Sequence, residues 1–176
     1  MERLGLPFQC EPPGVDEDAI AALGGAPRIL AEQLAFEKAS AVAARFPGAT
    51  VIGSDQMAVI NGQVLGKPGS ISAACDQLAR LSGQTHELIT ALCVIQGEQI
   101  LRHTDITRLL MRRLATEEIE RYVAADNPVD CAGAYKIEER GIALFEKLET
   151  ADPTAITGLP LIALTSILRQ LGLPVP

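Results

Sequence analysis

Apolar positions along the chain follow two periods. From Pro27 to Arg45 they recur at helical spacing, with Leu30, Leu34, Ala41 and Ala44 as the stripe and Pro47-Gly48 as the stop. A second helical pattern, capped by Ser70 or Ser72, runs to about Leu81, and a third spans Thr116 to about Ala125. A last helix follows Gly158-Leu159-Pro160 and stops at Gly172. Between them lie β-branched or alternating runs. Thr50 to Gly53 is one, and Met57 to Ile60, Asn61-Gly62 and Gln63 to Leu65 form a hairpin signal with a two-residue turn. Glu87 to Ile95 and Gln99 to Leu110 read as strands joined at Gly97-Glu98, and Gly141 to Leu148 as one more. The opening Met1 to Pro7 resembles the last turn of a helix with Gly5 as its cap, followed by a short strand near Phe8-Gln9-Cys10. Pro12 to Gly25, rich in Pro, Gly and acids, reads as a surface loop. Helices alternate with strands and hairpins, which predicts an α/β fold with a mixed twisted sheet and flanking helices, in one domain over residues 1–176.

Three polar insertions break these patterns. Glu37-Lys38 occupies a turn of the first long helix where its stripe should be hydrophobic. A snorkelling lysine and a rim carboxylate on a boundary helix explain the pair as well as a site does. Asp55-Gln56 follows the apolar run at the place where a buried strand delivers side chains to its exposed end, the usual ligand position in open α/β sheets. A lone aspartate there also suits an ordinary turn. Lys67 stands in Gly66-Lys67-Pro68. If Ile60 pairs with Gln63 and pairing persists without a bulge, Gln56 faces Lys67 and Asp55 faces Pro68, leaving Asp55 and Lys67 as diagonal neighbours. A cross-strand ion pair is the plainer alternative. A carboxylate that orients water or a divalent cation, set beside lysines that neutralise phosphate oxygens, is a minimal kit for attack on a phosphoanhydride.

Charge narrows the partners. Lys and Arg number 15 against 22 Asp and Glu, a formal net charge of -7, so the overall field repels nucleic acid and any polyphosphate must be held by locally placed cations or a metal. With 48% hydrophobic and 21% charged residues, the chain can build an ordinary buried core. The four cysteines, Cys10, Cys75, Cys93 and Cys131, show neither zinc-ligand spacing nor a disulfide framework, which suits reduced thiols in the cytoplasm. No apolar run reaches membrane-spanning length, and the first residues lack the pattern of a signal peptide. His86 and His103 lie in strand-like stretches without a matched Ser or Cys, as surface or half-buried histidines do.

Several ordered segments carry a resemblance: Leu34 to Ala39, Ile52 to Gln56, Gly62 to Pro68, Leu81-Ser82-Gly83, Cys131 to Glu138, Gly141 to Glu146 and Gly158 to Leu161. In this order and spacing the chain resembles the Maf-type nucleoside triphosphate pyrophosphatases, and within them the subgroup acting on N7-methylated GTP. The resemblance implies two lobes around a deep cleft and hydrolysis of a nucleotide substrate to the monophosphate and pyrophosphate. It assigns Asp55 as proton acceptor, Glu37 and Asp55 as holders of Mg²⁺ or Mn²⁺, Lys38 and Lys67 to the triphosphate, and Gln56 and Glu138 to base choice. A carboxylate at Glu138 suits the positive charge and amino donors of a methylated guanine.

The chain departs from the family in two places. The family's opening apolar strand and Ser-x-Ser-Pro-Arg-Arg motif have no counterpart, which predicts either a shortened start or a weakened enzyme. Glu139-Arg140 replaces a Gly-aromatic pair before Gly141. The alternative is a catalytically impaired nucleotide-binding or regulatory homologue linked to cell division. The long strands leave room for a homodimer.

Overall fold

The computed structural model of the chain describes residues 1–22 and 24–175. Its helices are α1 (Glu17–Ala22), α2 (Pro27–Ala43), α3 (Ile71–Leu81), α4 (Thr116–Asp126) and α5 (Leu161–Gln170). Its strands are β1 (Thr50–Ile60), β2 (Gln63–Leu65), β3 (Thr85–Gln96), β4 (Gln99–Met111) and β5 (Phe145–Glu149), arranged in one sheet of order β2-β1-β3-β4-β5. The expected α/β class with a sheet and flanking helices is what the chain adopts. It divides into two compact units: Met1–Gln56, Thr90–Asp105 and Asp152–Pro176 form the first, and Met57–Ile89 and Ile106–Ala151 the second.

In the first unit, two helices cover opposite faces of the β1 and β3 segments. α2 lies directly on β1. A Cβ at Gly53 would strike the carbonyl oxygen of Ala35 and come within 2.7 Å of Ala39 N and 2.8 Å of its Cβ, so only glycine admits the helix this closely. The buried face of α2 is therefore Ala31, Leu34, Ala35 and Ala39, and not the predicted stripe through Leu30, Ala41 and Ala44. Close backbone approach selects alanines, which a hydrophobicity period underweights. On the other face, Leu161, Leu164, Ile167 and Leu168 of α5 pack with Leu92 and Val94 of β3 and the half-buried Ile52. The amides at the start of α5 are satisfied from upstream: Asp152 Oδ2 accepts from Ile162 N–H and Thr154 Oγ1 from Leu161 N–H, both at 2.7 Å.

Other expectations need correction. The segment read as a loop from Pro12 to Gly25 contains α1, whose first turn carries Glu17 and Asp18 and whose Ala19 N–H is accepted by Asp16 Oδ1 at 2.9 Å; Leu23 of that segment lies outside the described residues. Acids at a helix start are stabilising, and the loop-like composition hid them. Phe8–Cys10 forms no strand, because it joins no ladder. β1 is continuous, so Asp55 and Gln56 sit within a strand and not beyond its end. Gly141 lies in a 3-10 turn, Arg140–Leu144, before β5: a Cβ there would meet the carbonyl of Lys136, and this tight packing delays the strand.

The hairpin signal holds. Asn61 and Gly62 take positive φ of 50° and 76°, and Ile60 faces Gln63. Pairing stops at Ala58↔Leu65, however. The ladder that was to bring Gln56 opposite Lys67 and Asp55 opposite Pro68 is absent, since β2 ends at Leu65 and Pro68 has no N–H to continue it. Ser70 is the cap of α3, accepting from Ala73 N–H at 3.2 Å.

The second unit is organised around a buried aromatic group. His86 Nε2 meets the Tyr135 hydroxyl at 2.9 Å, while His86 Nδ1 finds no partner among the described residues, and the rings of Tyr135 and Phe145 meet edge to face at 4.9 Å. Burial pushes the His86 imidazole down to about 4 from an ordinary 6.5. The unfolded chain therefore takes up a proton near pH 6.5 that the folded chain refuses until about pH 4. The contribution is intact above pH 6.5 and is lost as the pH falls through that window, amounting to about 3 kcal/mol. Denaturant titrations of the parent and of His86→Phe between pH 7 and 4 should show the parent losing stability more steeply by up to one proton.

Candidate active site

Lys38 is the centre of a small ionic cluster in the first unit. It follows Glu37 on α2, on the face that meets β1, and its Nζ lies 2.7 Å from Asp55 Oδ1 and 2.8 Å from Glu17 Oε1. The Lys38 and Asp55 side chains are 18% and 10% exposed, so the pair is largely withdrawn from solvent and screening is weak. Burial pushes the ammonium down, but its hydrogen bonds to Asp55 and Glu17 outweigh it and hold Lys38 above the usual lysine range. Of the residues predicted from sequence, the structure thus brings Lys38 and Asp55 into direct contact, with half-buried Glu37 beside them in the chain. Glu17 was not foreseen, and its loop-like surroundings carried no signal for it.

Gln56 lies on the opposite face of β1, as alternation requires. Its Nε2 donates to Thr90 Oγ1 and Ala155 O at 2.8 Å and to Ile156 O at 3.2 Å. Ser54, on the same face, has its hydroxyl 2.7 Å from Ala91 O and 2.8 Å from Gly158 O. Because β2 borders only residues Ala58 to Ile60, the outer edge of β1 at Asp55 and Gln56 carries no strand among the described residues.

Lys67 and Glu138 belong to the second unit, and both are exposed. The loop after β2 is fastened by Gly69 N–H to Val129 O at 2.8 Å. The Asp130 carboxyl is held below its usual value by its own backbone N–H first and the Cys131 thiol next, with Lys136 and Lys67 adding to the effect. Lys136 is thus a further cation acting on Asp130, as Lys67 does, that sequence reasoning passed over. Its backbone is pinned: its N–H donates to Tyr122 Oη at 2.9 Å, and its carbonyl accepts from Glu139 and Gly141.

Glu37 and Asp55 supply hard oxygen donors of the kind Mg²⁺ takes one or two at a time, the rest of its shell being water and substrate phosphate. Among the described residues no group of three or more His, Cys, Asp or Glu converges. The donor set therefore fits a metal that arrives with a polyphosphate better than one caged by protein. A separate cavity of about 1040 Å³ in the first unit, walled by Leu6, Phe8, Val42, Phe46 and Ile52, has Glu11 as its charged side chain among the described residues and does not suit an anion. No helix among the described residues is long and apolar enough to cross a membrane.

The sequence profile described as Maf-like protein matches residues 1–171. A protein of Xanthomonas axonopodis pv. citri named 7-methyl-GTP pyrophosphatase is 49% identical over 174 residues, covering 99% of this chain and 90% of its own. Proteins of the same name from Bdellovibrio bacteriovorus and Aromatoleum aromaticum are 45% and 46% identical, covering 98% and 100% of this chain and 90% and 91% of their own.

Proposed function

Because the chain belongs to the Maf-like protein family, we propose that it is a nucleotide pyrophosphatase that hydrolyses N7-methylated GTP, the substrate in its relatives' names, to the monophosphate and pyrophosphate. The observation that carries the reading is the Lys38–Asp55 contact at 2.7 Å, largely shielded from water, on the two elements whose segments match the family. A carboxylate fixed in this way orients a water molecule and accepts its proton as the water oxygen bonds to phosphorus and the anhydride between the α and β phosphates breaks. Charge builds on the departing pyrophosphate, and Lys38 and Lys67 are the groups that meet it.

Glu37 and Asp55 would hold Mg²⁺ or Mn²⁺, which supplies further neutralisation of phosphate charge. Gln56 and Glu138 would set base choice, and Asp55 and Gln56 stand on opposite faces of β1 at an edge that carries no strand among the described residues, which suits a nucleotide laid along that edge. The cytoplasm, where such nucleotides and reduced cysteines coexist, is the setting this chemistry suits.

The test is to incubate the protein with N7-methyl-GTP, GTP, dTTP and UTP, with Mg²⁺ or Mn²⁺ and with chelator, and to measure pyrophosphate. Release from N7-methyl-GTP above the others, lost with chelator, is the expected result. Binding without release would instead favour a regulatory nucleotide-binding protein, and indifference to every nucleotide would remove the reading altogether.

A further inference from the structure

The amide of Gln56 is held in one orientation by its surroundings. Ala155 O and Ile156 O are carbonyl oxygens and only accept, so the end of the side chain that faces them must be the NH₂ group. Thr90 completes the arrangement. Its hydroxyl donates to Ala155 O at 3.0 Å, which directs its lone pairs to Gln56 Nε2 at 2.8 Å. Thr90 is 1% exposed and cannot turn to water instead. An amide flip would set Oε1 against two carbonyl oxygens and leave the buried Thr90 hydroxyl without its donor, a costly exchange. Both amide hydrogens are consumed in this way. Among the described residues Oε1 accepts no hydrogen bond, and it is not one of the buried polar atoms lacking a partner, so it is the one polar valence of Gln56 left for a ligand.

We propose that Thr90 is a specificity-determining positioning residue: with the Ala155 and Ile156 carbonyls it locks Gln56 as an acceptor, so that position 56 selects a base edge bearing N–H donors and rejects one bearing carbonyls. This rests on the reading of Gln56 as a base contact. Glutamine is ordinarily ambivalent, able to offer either end to a ligand. Here the ambivalence is removed before any nucleotide binds. Guanine presents a ring N–H and an amino group along one edge. Xanthine, which differs by a carbonyl in place of that amino group, would set oxygen against oxygen.

The experiment uses hydrolysis-resistant α,β-methylene analogues of N7-methyl-GTP and of N7-methylxanthosine triphosphate, with equilibrium Kd measured for the parent, Thr90→Val, Thr90→Ser and Gln56→Leu. The parent should prefer the guanine analogue by at least about tenfold. Thr90→Val, which keeps the shape and removes the hydroxyl but leaves the two carbonyls in place, should weaken the preference by at least about threefold, and Thr90→Ser should keep it. Gln56→Leu, which leaves Thr90 in place, should lose the preference as well and serves if Thr90→Val does not fold. A parent without preference, a preference in Thr90→Val equal to the parent's, or a preference that survives in Gln56→Leu, overturns the proposal. A parent that keeps the preference but releases no pyrophosphate overturns only the hydrolytic function.

Discussion

Asp55→Asn should lower pyrophosphate release from N7-methyl-GTP by about 10²- to 10⁴-fold, the usual contribution of a positioned general base. The substitution preserves shape and removes the charge and the capacity to accept a proton. Lys38 still has Glu17 at 2.8 Å, so the contact between α1 and α2 survives the loss of the 2.7 Å bond to Asp55. The folded structure is therefore expected to persist, with far-UV circular dichroism like that of the parent, while kcat falls and KM changes far less. A loss carried mainly by KM would make Asp55 a binding group only, and retention of most activity would remove it from the chemistry. The charge-conserving Asp55→Glu adds a methylene to a strand position closed by α2 and should recover little, because the carboxylate would no longer meet the lysine at the same place.

Gly53→Ala is expected to damage both stability and activity, through one displacement. The new Cβ collides with the carbonyl oxygen of Ala35 and approaches Ala39 N at 2.7 Å, and these are backbone atoms of a helix that no rotamer change can move aside. Overpacking of this kind costs about 1–3 kcal/mol. For a chain of this size each kcal/mol lowers Tm by roughly 2–4 °C. α2 must lift from β1, and Lys38 travels with α2 while Asp55 stays with the strand. The 2.7 Å contact lengthens, so pyrophosphate release should fall beyond what the lost stability explains, measured well below the new Tm. Trimming Ala39 to Gly in the same protein relieves the 2.8 Å contact with its Cβ but not those with backbone, so little should be recovered. Parent-like Tm and activity in Gly53→Ala would show that the close approach of α2 is not what sets the ion pair.

Much of this arrangement is local and was therefore readable in the chain. The α2 helix begins at Pro27, Ser70 caps α3, and Asn61-Gly62 turns the hairpin at the predicted register, because each depends on a few adjacent residues with specific backbone preferences. The misreadings are equally instructive. Extending the hairpin ladder to Lys67 assumed that strands continue until composition stops them, whereas β2 ends after three residues. The acidic stretch around Glu17 looked like loop because a helix of six residues has little room to show a period.

The sequence by itself determined which side chains are candidates: Glu37, Lys38, Asp55, Gln56 and Lys67 stand where charge or amide interrupts an apolar or turn pattern, and Glu138 stands at a position of a family motif. Tertiary structure alone decided what they meet. Glu17 joins Lys38 from 21 positions away, and Gln56 is oriented by Thr90 and by carbonyls about 100 residues distant. Periodicity records which way a side chain points from its own backbone. It carries no information on what another segment brings to that side, because such contacts arise from the packing of whole elements, and packing is settled by the fit of surfaces far apart in the chain.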